Sequence, residues 1–236
     1  MKVEIWSDFV CPFCYIGKRR FEHALEKFPH RDQVTVQYKS YQLDPTAKHI
    51  AGKNYAETFS ELKGIPLEQV NEMNKQVAIQ AEEVGLIYRF DAMKYSNTFD
   101  AHRIAKLASV SGKEQALIER LFQAYFTESE LLSDQDTLVR LAEEVGLAKD
   151  DVEKVLDSCK FQKKVNEDID IAKQLGVQGV PFFVFNEKYA VSGAQPEETF
   201  KQVLEKVRQE EQTKPILQSL NPNENKTSYC TGDECN

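Results

Sequence analysis

The run Val3-Glu4-Ile5-Trp6 reads as the core of a first strand over residues 2–7, closed by a polar turn at Ser7-Asp8. From Cys14 to Lys27, Phe21, Ala24, Leu25 and Phe28 recur at helical spacing and predict a helix. Val34 to Tyr41 alternates apolar and polar residues, the pattern of a second strand. A strand–helix–strand unit of this kind gives a parallel pair with a right-handed crossover. Leu43-Asp44-Pro45 ends it, because Pro and the residue before it disfavour regular pairing.

Helical period then dominates from Lys48 to Gly176. Pro66 opens one helix, with Val70, Met73, Val77 and Ala81 at spacings of three and four, stopping at Gly85. Ser96-Asn97-Thr98 offers a cap for Phe99 to Val110, and Ser111-x-x-Glu114 is a capping-box pattern before Gln115 to Tyr125. Ser133-x-x-Asp136 opens another helix through Leu138, Leu141 and Val145 to Gly146. Asp150-Asp151 starts a short one through Val152, Val155 and Leu156, and Phe161 to Leu175 is the last. This predicts a block of six or seven helices, with Leu86 to Phe90 compatible with strand or loop.

After the block, Gly179-Val180-Pro181 leads into Phe182-Phe183-Val184-Phe185, a buried strand whose first residue is a tolerated Pro. Asn186-Glu187-Lys188 turns this strand into Tyr189 to Ser192, and Pro196 opens a final helix to about Gln209. Beyond Thr213 the sequence is polar, with two prolines and little periodicity, which predicts a flexible tail.

At 236 residues the chain is one domain with a large insertion or two small domains, long enough to bury a core without disulfides. A charged fraction of 29% and a net charge of −8 fit a soluble protein and oppose general binding to nucleic acid or anionic membranes. No apolar run approaches spanning length, and no basic-then-apolar leader precedes the first strand, so a cytoplasmic location is expected. The cytosol keeps thiols reduced, so five Cys there suit catalysis better than a disulfide framework.

Two of those Cys carry the chemistry. Cys11-Pro12-Phe13-Cys14 lies between the first strand and the first helix, the order that a dithiol redox site needs. Cys11 falls at the helix N-terminus, where unpaired N–H groups and the positive dipole end favour a thiolate, the attacking species. Pro12 suits the first turn, having no donor to waste. Cys14, one turn in, is expected to be more covered and placed to resolve a mixed disulfide. The rival is half of a structural zinc site, which needs four ligands. No second C-x-x-C exists, and the four His are scattered at 23, 30, 49 and 102, so no metal is expected. Cys159 stands alone in a helical stretch and is expected to pack as a small hydrophobe.

The assembled order is β-α-β, a large helical insertion, then β-β-α. With Cys11-Pro12-Phe13-Cys14 at the first helix start and Val180-Pro181 before the third strand, the chain resembles the α/β thioredoxin fold. The place and size of the insertion resemble the DsbA-like branch. The strings Asp8 to Gly17, Tyr41 to Pro45, Asn97 to Arg103 and Gly179 to Phe183 are similar to the FrnE subfamily. The expected domains are a thioredoxin-like unit over residues 1–47 and 177–212, an inserted helical unit over 48–176, and a tail over 213–236.

The resemblance implies Cys11 as nucleophile and Cys14 as resolving thiol. It implies that Pro181 is a cis-proline facing the pair, with Val180 offering its backbone to a substrate and Pro12 and Phe13 beside it. His102 and Arg103 are read as packing or surface groups, or as a link from the helical block to the active-site edge. Asp8 is read as a turn or helix-dipole partner. The Pro-Phe dipeptide offers no charge or side-chain hydrogen bond to a thiolate, so the couple is expected to be less oxidising than DsbA proper. Cys230-Thr231-Gly232-Asp233-Glu234-Cys235 in the tail suggests an accessory dithiol that exchanges with the first pair.

The expected activity is thiol–disulfide exchange on protein or small-molecule substrates. It needs no bound cofactor, only a thiol reductant such as glutathione or a thioredoxin-type donor as co-substrate, in a monomer or homodimer. The alternatives are a glutathione-dependent transferase of the kappa type or a hydroxychromene-carboxylate isomerase, which usually carry Ser at the first motif position, and a redox-regulated holdase.

Overall fold

In the computed structural model, residues 1–213 and the backbone of residues 230–231 and 234–235 are described. Four strands form the main sheet: β1 (Lys2–Ser7), β2 (Thr35–Ser40), β3 (Phe182–Phe185) and β4 (Tyr189–Ser192). Their spatial order is β2-β1-β3-β4. β1 and β2 run parallel, from Lys2 opposite Thr35 to Ser7 opposite Ser40. β3 is antiparallel to β1, with Ile5 opposite Phe183, and β4 returns antiparallel to β3. The parallel pair is joined through α1 (Pro12–Glu26), and the hairpin is followed by α9 (Glu197–Thr213).

The period of two along the strands sorts side chains onto the two faces. Ile5, Phe183 and Phe185 belong to the core beneath α1 and α9. There Phe21, Phe183 and Phe200 pack with ring centroids 4.7–5.6 Å apart. Each fully buried ring of this kind contributes about 1.5–3 kcal/mol. Trp6 and Val184 point to the opposite face, where Ala172 and Val177 meet them.

Between β2 and β3 the chain forms α2 (Tyr55–Lys63), α3 (Leu67–Glu82), α4 (Phe99–Val110), α5 (Glu114–Phe126), α6 (Gln135–Glu144), α7 (Lys149–Leu156) and α8 (Gln162–Gln174). The fold is therefore the thioredoxin arrangement with a helical insertion. Asp168 of α8 pins this block to the sheet. Its carboxylate accepts from the Ser40 N–H at 2.9 Å, pairs with Lys106 of α4, and lies 3.4 Å from Lys39 of β2. The backbone carbonyl of Asp168 accepts from the Trp6 indole at 2.9 Å.

Several expected helix starts differ in frame. Ser111 caps nothing at α5; its hydroxyl donates 2.9 Å back to the Leu107 carbonyl at the end of α4. Asp134, not Ser133, caps α6, accepting from the Thr137 N–H at 2.8 Å. Met73 was expected on the buried stripe of α3 but is 46% exposed, because that helix buries only Val70 and Ala81. Helix α2 carries a reciprocal capping box between Asn54 and Glu57. The segment Leu86 to Phe90 is a loop. Cys159 is exposed, which corrects the expectation that it packs as a small hydrophobe: it lies in the turn between α7 and α8.

In the tail, β5 (Cys230–Thr231) and β6 (Glu234–Cys235) pair antiparallel with Cys230 opposite Cys235. The side chains of the expected accessory dithiol, Cys230 and Cys235, lie outside the described residues.

Candidate active site

Cys11 is the N-cap of α1, with extended backbone (φ −87°, ψ 112°) and Pro12 in the first turn. The chain reaches that position through a tight turn, the Cys11 N–H donating to the Asp8 carbonyl at 3.0 Å. The Cys14 N–H then donates to the Cys11 carbonyl at 3.0 Å. The three-residue spacing thus brings both thiols to one end of one helix.

Both thiols are free and buried, Cys11 4% and Cys14 2% exposed, so the expected contrast in cover is slight. Their surroundings differ far more. The Cys11 sulfur lies 3.4 Å from the Val180 carbonyl oxygen. Burial pushes the Cys14 thiol well above its ordinary value, and the neighbouring Cys11 adds to this. The Ser7 hydroxyl and the Asp8 backbone oppose it only in part. Phe13 is exposed, and Pro12 and Val180 are half-buried.

The Val180–Pro181 peptide bond is cis. The Pro181 carbonyl accepts from the Gly193 N–H at 2.8 Å, which ties this loop to the end of β4. The loop also leans on α1 at Gly17. A Cβ at that position would sit 2.9 Å from the Pro181 Cγ and 3.4 Å from the Ala194 Cα and Cβ. Gly17 thus permits the close approach of helix and proline loop. The sequence signal for this role of Gly17 is its place one turn after Cys14.

The helical block closes over the other side of the motif. Tyr88, in the loop after α3, donates its hydroxyl to the Pro12 carbonyl at 2.8 Å. Tyr15 stacks on Phe122 of α5 with centroids 4.9 Å apart and planes 6° from parallel. Its hydroxyl donates to Glu119 at 2.7 Å. Burial, and then that carboxylate, raise the Tyr15 phenol. Burial alone would raise Glu119, but the buried Lys18 beside it and Arg19 outweigh that and hold it below the usual carboxylate range. None of these partners was anticipated, since each joins elements at least 76 residues apart.

Asp8 is 1% exposed. One carboxylate oxygen accepts from the Leu43 N–H at 2.8 Å. The other has no hydrogen-bond partner among the described residues and lies 3.5 Å from His102 Nε2. That nitrogen is 2.9 Å from the Tyr41 carbonyl. His102 therefore joins α4 to the loop after β2 beside the motif, and it is buried. Arg103 is buried as well, its guanidinium donating to the carbonyls of Val155, Ser158 and Lys160 and pairing with Asp100. The surface reading of these two residues is thus corrected. Among the described residues no group of three or more His, Cys, Asp and Glu is placed to hold a metal ion, and no helix is long and apolar enough to cross a membrane.

Comparison with known proteins places this geometry. The closely similar structures include that of a probable DsbA oxidoreductase from Streptomyces coelicolor, 36% identical, with a TM-score of 0.86 over 100% of this chain and 98% of that one. YwbO of Bacillus subtilis (strain 168), a protein of uncharacterised activity, is 27% identical over 210 residues, covering 86% of this chain and 94% of YwbO. The cytosolic disulfide reductase DsbM of Pseudomonas aeruginosa, solved with GSH, shares the fold: TM-score 0.62 at 15% identity, over 89% of this chain and all of that one. The DSBA-like thioredoxin domain model matches residues 2–205, and with both motif cysteines at the head of α1 the chain belongs to that family.

Proposed function

We propose that the protein is a thiol–disulfide oxidoreductase working in the direction of reduction or isomerisation, with Cys11 as nucleophile and Cys14 as resolving thiol. The observation that carries this is the asymmetry of the pair. Cys11 stands at the N-cap of α1 with its sulfur beside the Val180 carbonyl, at the edge offered to a substrate. Cys14 lies beneath, where burial keeps its proton on.

The Cys11 thiolate attacks one sulfur of a substrate disulfide. A mixed disulfide forms, and the other substrate sulfur leaves as a thiolate. Cys14 then gives up its proton, which ends on the departing thiolate, and attacks the Cys11 sulfur. The second substrate thiol is released, and the protein is left with a Cys11–Cys14 disulfide. Two electrons have passed to the substrate. A thiol reductant, glutathione or a thioredoxin-type donor, returns them as co-substrate. Because the electrons stay on sulfur, the cycle needs no bound cofactor or metal.

Val180 and Pro181 form the edge along which a substrate backbone is held, and Pro12 with the exposed Phe13 forms the opposite lip. The C-terminal Cys230 and Cys235 serve as a relay that exchanges with this pair. The partners are thiol- or disulfide-containing proteins and small molecules in a reducing cytoplasm; neither nucleic acid nor membrane is required. This is the FrnE-like form of the family's chemistry. An insulin-reduction assay tests it: the wild type reduces insulin with a thiol donor present, and Cys11→Ser does not. Equal turnover by the two proteins overturns the reading.

A further inference from the structure

The loop before β3 and the loop after β2 lie on opposite flanks of β1, because the sheet order is β2-β1-β3-β4. Cys11 follows β1 and so stands between them. On the β3 side is Val180. On the β2 side lies a cavity of about 190 Å³ that the disulfide-exchange chemistry leaves unused. It starts at Val10, the residue before the nucleophile, and its apolar walls include Leu43 and Ala47.

The remaining wall is largely aromatic, with Asp44, Lys63 and Ser96 set into it. Tyr55 stacks with Phe59 and Tyr95, at centroid distances of 5.5 and 6.0 Å, and all three line the cavity. The phenol of Tyr55 is pushed up to about 12, by burial first and by the charge of Cys11 second, in keeping with how near the cavity stands to the reacting sulfur. A cavity of about 150 Å³ already accepts benzene, so this one holds a single six-membered ring and little more. Tyr95 has its hydroxyl engaged by Asp44 at 2.9 Å. Tyr125 closes the cavity from behind, fully buried, with its hydroxyl out of reach of the space itself. Ring-sized volume and largely aromatic walls together describe an aromatic side chain.

We infer that this cavity receives the side chain of an aromatic residue, tyrosine or phenylalanine, carried by the polypeptide substrate close in sequence to the cysteine that Cys11 attacks. A chain held along Val180 crosses Cys11 and continues toward Leu43, which brings the side chains flanking its cysteine over the opening. The assignment rests on the disulfide exchange proposed above and adds a preference for the substrate's neighbouring residue.

The test uses the full chain and synthetic peptide disulfides. Tyr, Phe or Ala is placed in turn at each of the three positions on either side of the reacting cysteine, and bis(2-hydroxyethyl) disulfide serves as a ringless control. The best Tyr and Phe peptides are expected to exceed their Ala counterpart in kcat/KM by about tenfold, the discrimination that one filled apolar pocket gives. Free p-cresol is expected to compete with the Tyr peptide and not with the ringless disulfide. Ala47→Phe, which fills the cavity, brings the Tyr-to-Ala ratio toward one. This is a ratio within one protein, so a loss of folded material lowers both of its members alike.

Equal turnover of Tyr, Phe and Ala peptides at every position by the wild type overturns the inference. So does a ratio that survives Ala47→Phe. Binding of p-cresol without any peptide preference also overturns it, assigning the cavity to a free phenol. No turnover of any disulfide, ringless control included, overturns the exchange at Cys11 and this assignment with it.

Discussion

Replacing Gly17 by Ala tests whether the proline loop is seated against α1 as tightly as the structure has it. In a helix interior Ala is preferred over Gly by about 0.8–1 kcal/mol, so without the loop the substitution would stabilise. The new Cβ, however, falls 2.9 Å from the Pro181 Cγ and 3.4 Å from two atoms of Ala194. Carbon contacts settle at about 3.5–4.0 Å, so the Pro181 ring has to give by about half an ångström. Overpacking of this kind costs about 1–3 kcal/mol. The midpoint of that range outweighs the helix preference and leaves a net loss of about 1 kcal/mol, which lowers Tm by about 2–4 °C for a chain of this size. Pro181 is displaced along with the Val180 carbonyl that touches the Cys11 sulfur, so kcat/KM for insulin falls by about tenfold, a fraction of what a full ångström of misplacement costs. Thermal unfolding and the insulin assay read the two effects. A rise in Tm with unchanged turnover would show the loop free to move away, and the reasoning would fail.

Asp168→Ala takes the carboxylate from Lys106, leaves Lys39 with Glu4 alone and strands the Ser40 N–H; removing one partner of a buried network costs about 3–5 kcal/mol, to be read by urea unfolding. Glu197 at the start of α9 is lowered to about 2, chiefly by hydrogen bonds from Lys201 and Lys27. A depressed carboxyl contributes stability above its unfolded value of about 4.3 and loses it as pH falls toward 2. Glu197→Gln therefore flattens the acid limb of a stability–pH curve between about pH 5 and 2, and an unchanged limb contradicts the assignment. The Cys11–Cys14 couple, lacking a polar residue between its thiols, equilibrates with glutathione at a potential well below the about −120 mV of DsbA; a value as positive as that would count against the effect of the Pro-Phe dipeptide.

The frame of this fold was legible where short-range rules govern. The strand before Cys11, the Pro after it and the helix that follows are local signals, and the structure places α1 at Pro12. The Val180-Pro181 turn was legible because a Gly-rich turn, a Pro and an apolar run are punctuation as well as packing. Helix starts in the insertion were less so. The Ser111 hydroxyl had two carbonyl and amide partners within reach and took the one behind it, at Leu107. The buried charges were out of reach altogether. Lys18, Asp168 and Arg103 look like surface residues until Glu119, Lys106 and the α7–α8 turn arrive from distant parts of the chain. The cavity beside Val10 was invisible for the same reason, being assembled from five segments of the chain.

The direct measurement of the division of labour between the two sulfurs is mass spectrometry of Cys14→Ala and Cys11→Ala after brief exposure to a peptide disulfide. The account predicts that Cys14→Ala accumulates one peptide as a mixed disulfide on Cys11, because nothing beneath it can resolve the bond, while Cys11→Ala stays unmodified at Cys14. A stable adduct on Cys14, or none on Cys11, would contradict it.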